Sequence, residues 1–391
     1  MILLFLLSVP TLGRKGSNMK IAIGMVLHAK TAVCYAVYAG EGEPKQKHIE
    51  FLEEFNRKHR TQASEPEDMA ALAATLSGHD AYILIENSSK TYETYWTLRN
   101  LGVKVIVAQA QDLYRITKSV KKTDKNDSVE LAGYMRRYLL GEREFAVCTM
   151  PPKEWMDKRE TCRRLLDEKN RLGILKRQVR AHLLLHGIKL RRNYSDIFCN
   201  KAISELRLMK DVYVRTIVEE AVAAKNRIAE EERYIEHLFS DNRMYELIRT
   251  IPGFGVITAA YMTSMIMDIN RFPNSNSFAA YFGIVPRMRE SAETTHNCAT
   301  THRGDDDARN LLAQAAMVHA NFVENSVVTA LWNRLKAKGK AHREVQIASA
   351  RKLVTVLWSV LKNDKPFTTD VESLKNASEE ADTLLEELEE E

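Results

Sequence analysis

The chain has 391 residues, of which 45% are hydrophobic and 28% charged. That composition excludes a disordered, collagen-like or membrane-embedded protein and leaves room for two or three cores. The five cysteines are odd in number and lack CxxC spacing, which argues against a disulfide framework or a zinc site and for a reducing, cytoplasmic setting.

The net charge of +5 conceals an asymmetry. Residues Arg115–Ser195 hold 21 Lys/Arg against 10 Asp/Glu, a local +11, whereas Asp370–Glu391 hold 10 acids against one lysine, a local −9. A basic middle of that size suggests a polyanion partner, most simply nucleic acid; a solvated lysine-rich helix is the alternative. The acidic tail reads as a solubilising segment after Phe367, or as a screen for the basic surface.

The opening MILLFLLSVPTL is apolar but too short to span a bilayer, and its positive charges follow the apolar run. Met19, leading into KIAIGM, looks like a second start, so residues 1–18 read as an extension outside the fold. Lys20–Val26 and Thr31–Tyr38 then read as strands, and His48–Phe55 fits strand or helix. Pro66–Leu76 reads as a helix, Ala81–Glu86 as a buried strand ending in a carboxylate, Tyr92–Leu101 as a helix and Val103–Val107 as a strand. Helices follow at Gln109–Lys118 and Val129–Leu139. This order predicts a mixed α/β domain over residues 19–150.

Between those last helices lies KKTDKNDS, Lys121–Ser128. Asp124 and Asp127 stand three apart, so both can aim at one point from a single helical face. Carboxylates converging among lysines such as Lys121 and Lys122 suit a divalent metal that handles phosphate. Taken alone, the spacing first suggests that Asp124 caps the helix while Asp127 enriches its first turn.

After Pro151-Pro152 the pattern turns helical. Lys153–His186 and Ser204–Phe239 read as two long helices over a middle region, 151–243. A seam at Val214, Ile217, Ala221, Ala224, Ile228, Ile235 and Leu238, broken by Glu231, predicts a helical hairpin or coiled coil. It serves either as a dimerisation or spacer arm or for packing within the chain.

A third region, 244–367, opens with Ile248–Met262, IRTIPGFGVITAAYM. A tight turn at Gly253 and Gly255 would bare N–H groups at the next helix N-terminus, in the manner of a helix-hairpin-helix grip on DNA phosphates. The loop-rich stretch Phe272–Gly304 gathers Arg287, Arg289, Ser291, His296, His302 and Arg303. A hydroxyl flanked by arginines is what phosphoryl transfer through a covalent intermediate requires; residue types alone leave several hydroxyls open and do not assign the histidines. Helices are expected at Asp307–Phe322 and Glu344–Leu361, joined through the basic segment Arg334–Arg343.

Six ordered motifs carry a resemblance: IAIGMVLHAKT, LIENSSKTYE, KKTDKNDS, TIPGFGVITAA, FGIVPRMRESAETTH…THRG and LLAQAA. From about Met19 to Phe367 the chain resembles the DEDD transposases of the insertion-sequence-110 family, related to the Piv DNA invertase. The resemblance implies a RuvC-like, RNase H-type N-terminal domain, a coiled-coil middle and a mostly helical transposase domain carrying a serine. It implies four acids that bind Mg²⁺ or Mn²⁺: Glu86 matches the second, Asp124 and Asp127 the third and fourth. Ser291 matches the serine, although Glu290-Ser291-Ala292 stands where the family has Gln-Ser-Gly. It further implies DNA as substrate, a structured guide RNA and a homodimer or homotetramer. The first acid is missing, because Val26 occupies its position in GMVLHAKT. His28 shares the strand face with Val26, but imidazole suits Mg²⁺ poorly. Weakened metal binding and low or absent activity are the expectation. The competing readings are a RuvC-like nuclease working with metal and water alone, and a catalytically dead or domesticated nucleic-acid-binding protein.

Overall fold

The computed structural model describes residues 19–109, 123–142, 145, 147–284, 287–291, 294–298 and 304–369; for 287–291 and 294–298 the description covers the backbone. The chain divides at Met150/Pro151 into two compact units. No described helix is long and apolar enough to cross a membrane.

The first unit is a five-stranded mixed sheet with helices on its faces. Its strands are β1 (Lys20–Leu27), β2 (Thr31–Tyr38), β3 (Thr61–Ala63), β4 (Asp80–Glu86) and β5 (Lys104–Ala108), in the order β3-β2-β1-β4-β5. β1, β2 and β3 pair antiparallel, while β1, β4 and β5 run parallel. The helices are α1 (Gln46–Lys58), α2 (Pro66–Leu76), α3 (Thr91–Asn100) and α4 (Asp124–Leu139).

Alternation along the strands sorts the side chains between the two faces. Ile21, Ile23, Met25, Ile83, Ile85 and Val105 pack with Phe55, Leu72 and Leu98 of the first three helices. Ala22, Val26, Leu84 and Ala108 pack with Leu131, Tyr134 and Met135 of α4. The ambiguous His48–Phe55 stretch resolves as the core of α1, and β3 is an element the sequence reading lacks. The helix expected at Gln109–Lys118 falls almost wholly outside the described residues.

The second unit is mainly helical. Its long members α5 (Lys153–Leu185) and α7 (Val212–Leu238) form an antiparallel hairpin, with the short α6 (Asn200–Arg207) between them. The antiparallel sense follows from Arg164–Glu231, Arg227–Glu168 and His182–Asp211, which join early α5 to late α7 and late α5 to early α7. The expected single helix over Ser204–Phe239 is two. The chain breaks after Arg207, and Asp211 caps α7 by accepting the Val214 N–H at 3.0 Å. The heptad seam packs within the chain: Val214, Ile217, Ala221, Ala224 and Ile235 are buried.

Beyond the hairpin come α8 (Arg243–Arg249), α9 (Val256–Ile266), a 3₁₀ turn (Ile269–Arg271) and α10 (Ser275–Tyr281). The strands β6 (Arg287–Ser291) and β7 (Thr294–Cys298) follow, then α11 (Asp306–Phe322), α12 (Val327–Ala337) and α13 (His342–Asn363). The stretch read as loop-rich therefore contains a helix and a two-stranded ribbon, and α12 occupies part of the segment read as a basic connection. Helix α9 is central: every residue from Ile257 to Ile266 is buried. Its all-round apolarity is that of a helix enclosed by others.

Candidate functional site

In the first unit the candidate acids gather at one end of the sheet. Glu86 ends β4 and is exposed there. Val26 sits near the corresponding end of the parallel neighbour β1, half-buried. Asp124 and Asp127 occupy the first turn of α4. Thr123, not Asp124, caps that helix: its hydroxyl accepts the Asn126 N–H at 3.3 Å. Asp124 is thus spared that duty, and its Oδ2 lies 3.1 Å from Nε2 of His28, just beyond β1.

Two features hold this turn in place. A Cβ built on Gly24 would overlap the Ser128 carbonyl and the Ala132 nitrogen and stand 2.6 Å from the Leu131 Cβ, so only glycine lets α4 lie this close to β1. Arg60 braces the turn from the side. Its guanidinium donates to the Lys125 carbonyl at 2.8 Å and to Ser128 Oγ and the Cys34 carbonyl at 3.3 Å, and lies 4.8 Å from the Tyr35 ring centre. The sequence reading missed Arg60, which belongs to none of the motifs.

The donor chemistry of Glu86, Asp124 and Asp127 is that of a hard divalent cation. Among the described residues, however, no three His, Cys, Asp or Glu side chains are grouped so as to hold a metal. Val26, near the end of β1, offers an isopropyl group and no oxygen, and Asp124 is engaged by His28.

In the second unit the turn Pro252–Gly255 connects α8 to α9. Gly253 has φ +101°, and a Cβ on it would overlap the Ala315 carbonyl of α11. Gly255 is the N-cap of α9, is exposed and supplies no side-chain cap, so the first N–H groups of α9 lack one. Behind the turn His319 is fully buried. Its Nδ1 lies 2.9 Å from the Pro252 carbonyl, which it can only donate to, leaving Nε2 to accept from Ser326 Oγ at 3.0 Å. Burial lowers the His319 pKa, an effect the bond to Pro252 partly offsets.

The ribbon stands between α10 and α11. Ser291 pairs with Thr294, Arg289 with His296 and Arg287 with Cys298. Ser291 is therefore the last paired residue of β6, on the same strand as both arginines and spaced from them by twos. At the foot of this segment Gly304, φ +92°, comes against the end of α10; a Cβ there would lie 2.9 Å from the Tyr281 carbonyl. Asp305 follows and caps α11 through the Ala308 N–H at 2.9 Å. It also accepts from Arg163 at 2.7 Å and from Tyr261 at 2.9 Å. Burial alone would raise the Asp305 pKa, but these three donors outweigh it and hold the carboxyl below the usual range. His302, Arg303, Lys121 and Lys122 lie outside the described residues.

Buried thiols are not candidate nucleophiles, since burial pushes Cys34 and Cys162 up to about 12.

Residues 245–331, from α8 through the Gly turn and ribbon into α12, match the family described as Transposase IS116/IS110/IS902. The chain is 24% identical over 323 residues to the putative transposase y4qE of Sinorhizobium fredii, covering 74% of this chain and 77% of that protein. It is 27% identical over 195 residues to the transposase for insertion sequence element IS1328 of Yersinia enterocolitica, covering 49% and 58%. It is 28% identical over 127 residues to the pilin gene-inverting protein of Moraxella lacunata, covering 32% and 39%. The resemblance carried by the six motifs is borne out by these matches: the chain is similar to transposases of the IS110 type.

Proposed function

We propose that this protein is a DNA transposase or recombinase of an insertion sequence, with its metal-dependent step impaired by Val26. The observation that carries the proposal is the family match over residues 245–331, which includes Ser291 and the Gly253–Gly255 turn. Names of relatives, an insertion-sequence transposase and a pilin gene inverter among them, support the same reaction class. The strand order β3-β2-β1-β4-β5, with α4 laid over β1, supports a RuvC-like, RNase H-type reading of the first unit.

In this reading Ser291 Oγ attacks a backbone phosphorus. The Ser–O–P bond forms as the P–O bond to the departing deoxyribose oxygen breaks; the serine proton passes to a base and the leaving oxygen takes up a proton. The phosphodiester link to serine conserves bond energy for rejoining. Arg287, Arg289, His302 and Arg303 would bind and neutralise phosphoryl oxygens. The turn at Gly253 and Gly255, with Lys121 and Lys122, would bind the DNA backbone. Glu86, Asp124 and Asp127 would hold Mg²⁺ or Mn²⁺, whose chemistry here is polarisation of the scissile phosphate. A homodimer or homotetramer is part of this reading. Target choice by a structured RNA rests on the family resemblance.

Strand transfer on a substrate built from the element's own ends tests the proposal. Val26→Asp is expected to produce Mg²⁺-dependent cleavage that the present chain lacks or shows weakly. In that background Ser291→Ala should abolish the protein–DNA adduct. Cleavage surviving Ser291→Ala would instead identify a nuclease using water. No cleavage with Val26→Asp would favour the second reading, a catalytically dead nucleic-acid-binding protein, to which Val26 already lends support.

A further inference from the structure

The α5/α7 hairpin carries two electrostatically different halves. The proximal half, residues 151–170 and 221–242, has 9 Lys/Arg against 10 Asp/Glu, a net −1. The distal half, residues 171–220, has 11 Lys/Arg against 5 Asp/Glu, a net +6. All five distal acids are already engaged within the hairpin. Asp196 pairs with Lys176 at 3.0 Å and Glu219 with Arg207 at 2.8 Å, while Glu220 lies 3.9 Å from Arg171. Glu205 accepts the Arg191 N–H at 2.6 Å and the Tyr194 hydroxyl at 2.9 Å, and Asp211 caps α7 and meets His182 at 2.7 Å. The positive excess is therefore turned outward. Much of it lies in the connecting loop, where Lys189, Arg191 and Arg192 are exposed.

The same end bares apolar groups. Leu184 is 83% exposed, Leu185 79%, Leu208 80% and Val212 67%. Tyr213 is also exposed, with His182 stacked on its ring at 4.4 Å and His186 at 4.4 Å from His182. Exposed aliphatic and aromatic faces bordered by cations match a nucleic acid whose bases are unpaired, because phosphates meet the charges and open base faces meet the apolar groups. A duplex keeps its base faces stacked and offers phosphates and groove edges instead of open base faces. A second copy of the same surface would bring two net +6 ends together.

We propose that the distal end of the helical hairpin binds single-stranded nucleic acid, as an interaction surface separate from the acids of the sheet and from the Gly turn and serine. The inference does not rest on the transposase chemistry. It is tested on the full chain by measuring binding of a labelled oligothymidylate and of a duplex of equal length across a salt series. Lys189→Glu/Arg191→Glu/Arg192→Glu should weaken oligothymidylate binding by at least about tenfold and flatten the salt slope by roughly two, at about 0.7 per phosphate contact on a single strand. Leu184→Ser/Leu185→Ser should weaken it several-fold while leaving the slope unchanged. Arg233→Glu on the near-neutral proximal half should do neither, and circular dichroism melts should show each variant folded.

Unchanged oligothymidylate affinity in both loop and leucine variants would overturn the proposal. So would equal losses on duplex and single strand. A leucine variant that only dissociates an oligomer would show the surface to be a self-contact and overturn it too. Loss of strand transfer with these binding results intact would count against the function proposed above and not against this surface.

Discussion

The acid-bearing turn of the first unit and the Gly253 turn of the second are each fixed by one glycine and one polar clamp, but by different physics. Gly24 has ordinary strand geometry and is needed only because α4 presses onto its Cα. Gly253 is needed twice, for its φ of +101° and for the Ala315 carbonyl behind it. Arg60 clamps the acid turn from a partly exposed position, whereas His319 clamps the Gly turn from full burial. In the first unit the placement of Asp124 and Asp127 is thus maintained by backbone contact. The second unit ties its turn to the hydrogen-bond order of a buried imidazole, so the placement of that turn responds to protons.

The comparison can be broken at four points. Gly253→Ala should have the largest effect, about 4 kcal/mol, because left-handed strain adds to overlap with an unyielding backbone. Chemical denaturation of the second unit would measure it, and a loss under about 1 kcal/mol would mean the turn relaxes freely. Gly24→Ala should cost about 3 kcal/mol from overlap alone and lift the Asp124 turn off the sheet. Protease nicking around Lys125 should then rise.

His319→Phe should cost about 2 kcal/mol near pH 7.5, since the Pro252 carbonyl and Ser326 lose their partner. It should also change the pH profile. Because burial depresses the folded pKa of His319, the unfolded chain binds more protons, so its contribution is whole above about pH 6.5 and is lost as pH falls through the folded value. A wild-type stability curve as flat as the variant's between pH 7 and 5 would contradict this. Arg60→Met should be the mildest, about 1 kcal/mol, since water can reach the carbonyls it leaves. Faster amide exchange in the first turn of α4 is its expected signature.

Much of the fold was legible because the signals were local. Pro66–Leu76 follows from proline at its start and apolar spacing. The strands from Lys20, Thr31 and Asp80 follow from alternation or from a short apolar run. The break at Leu208–Asp211 was hidden because the heptad seam begins only at Val214, and the preceding residues are helical in composition on both sides of it. Helix α12 was obscured by the basic run that closes it. At the candidate sites, Asp124, Asp127, Gly253 and Ser291 were reachable through motifs with defined spacing. Arg60, Asp305 and His319 were not, since their partners Lys125, Arg163 and Pro252 lie 65, 142 and 67 residues away in the chain. No periodicity links residues at such distances; only the packed structure does.

The core of the second unit has a consequence for synthesis. Cys162 and Leu165, near the start of α5, pack in the same cluster as Leu353, Leu357 and Leu361 of α13. The first unit holds its five described strands once residue 108 has been made and its last described helix by residue 139. The second cannot close until more than two hundred further residues, through Leu353–Leu361, have emerged. A nascent chain halted between Pro151 and α13 would therefore present a folded sheet domain followed by an unclosed apolar helix pair. Chaperone demand should fall on that interval, and truncated products ending within it should be the aggregation-prone ones.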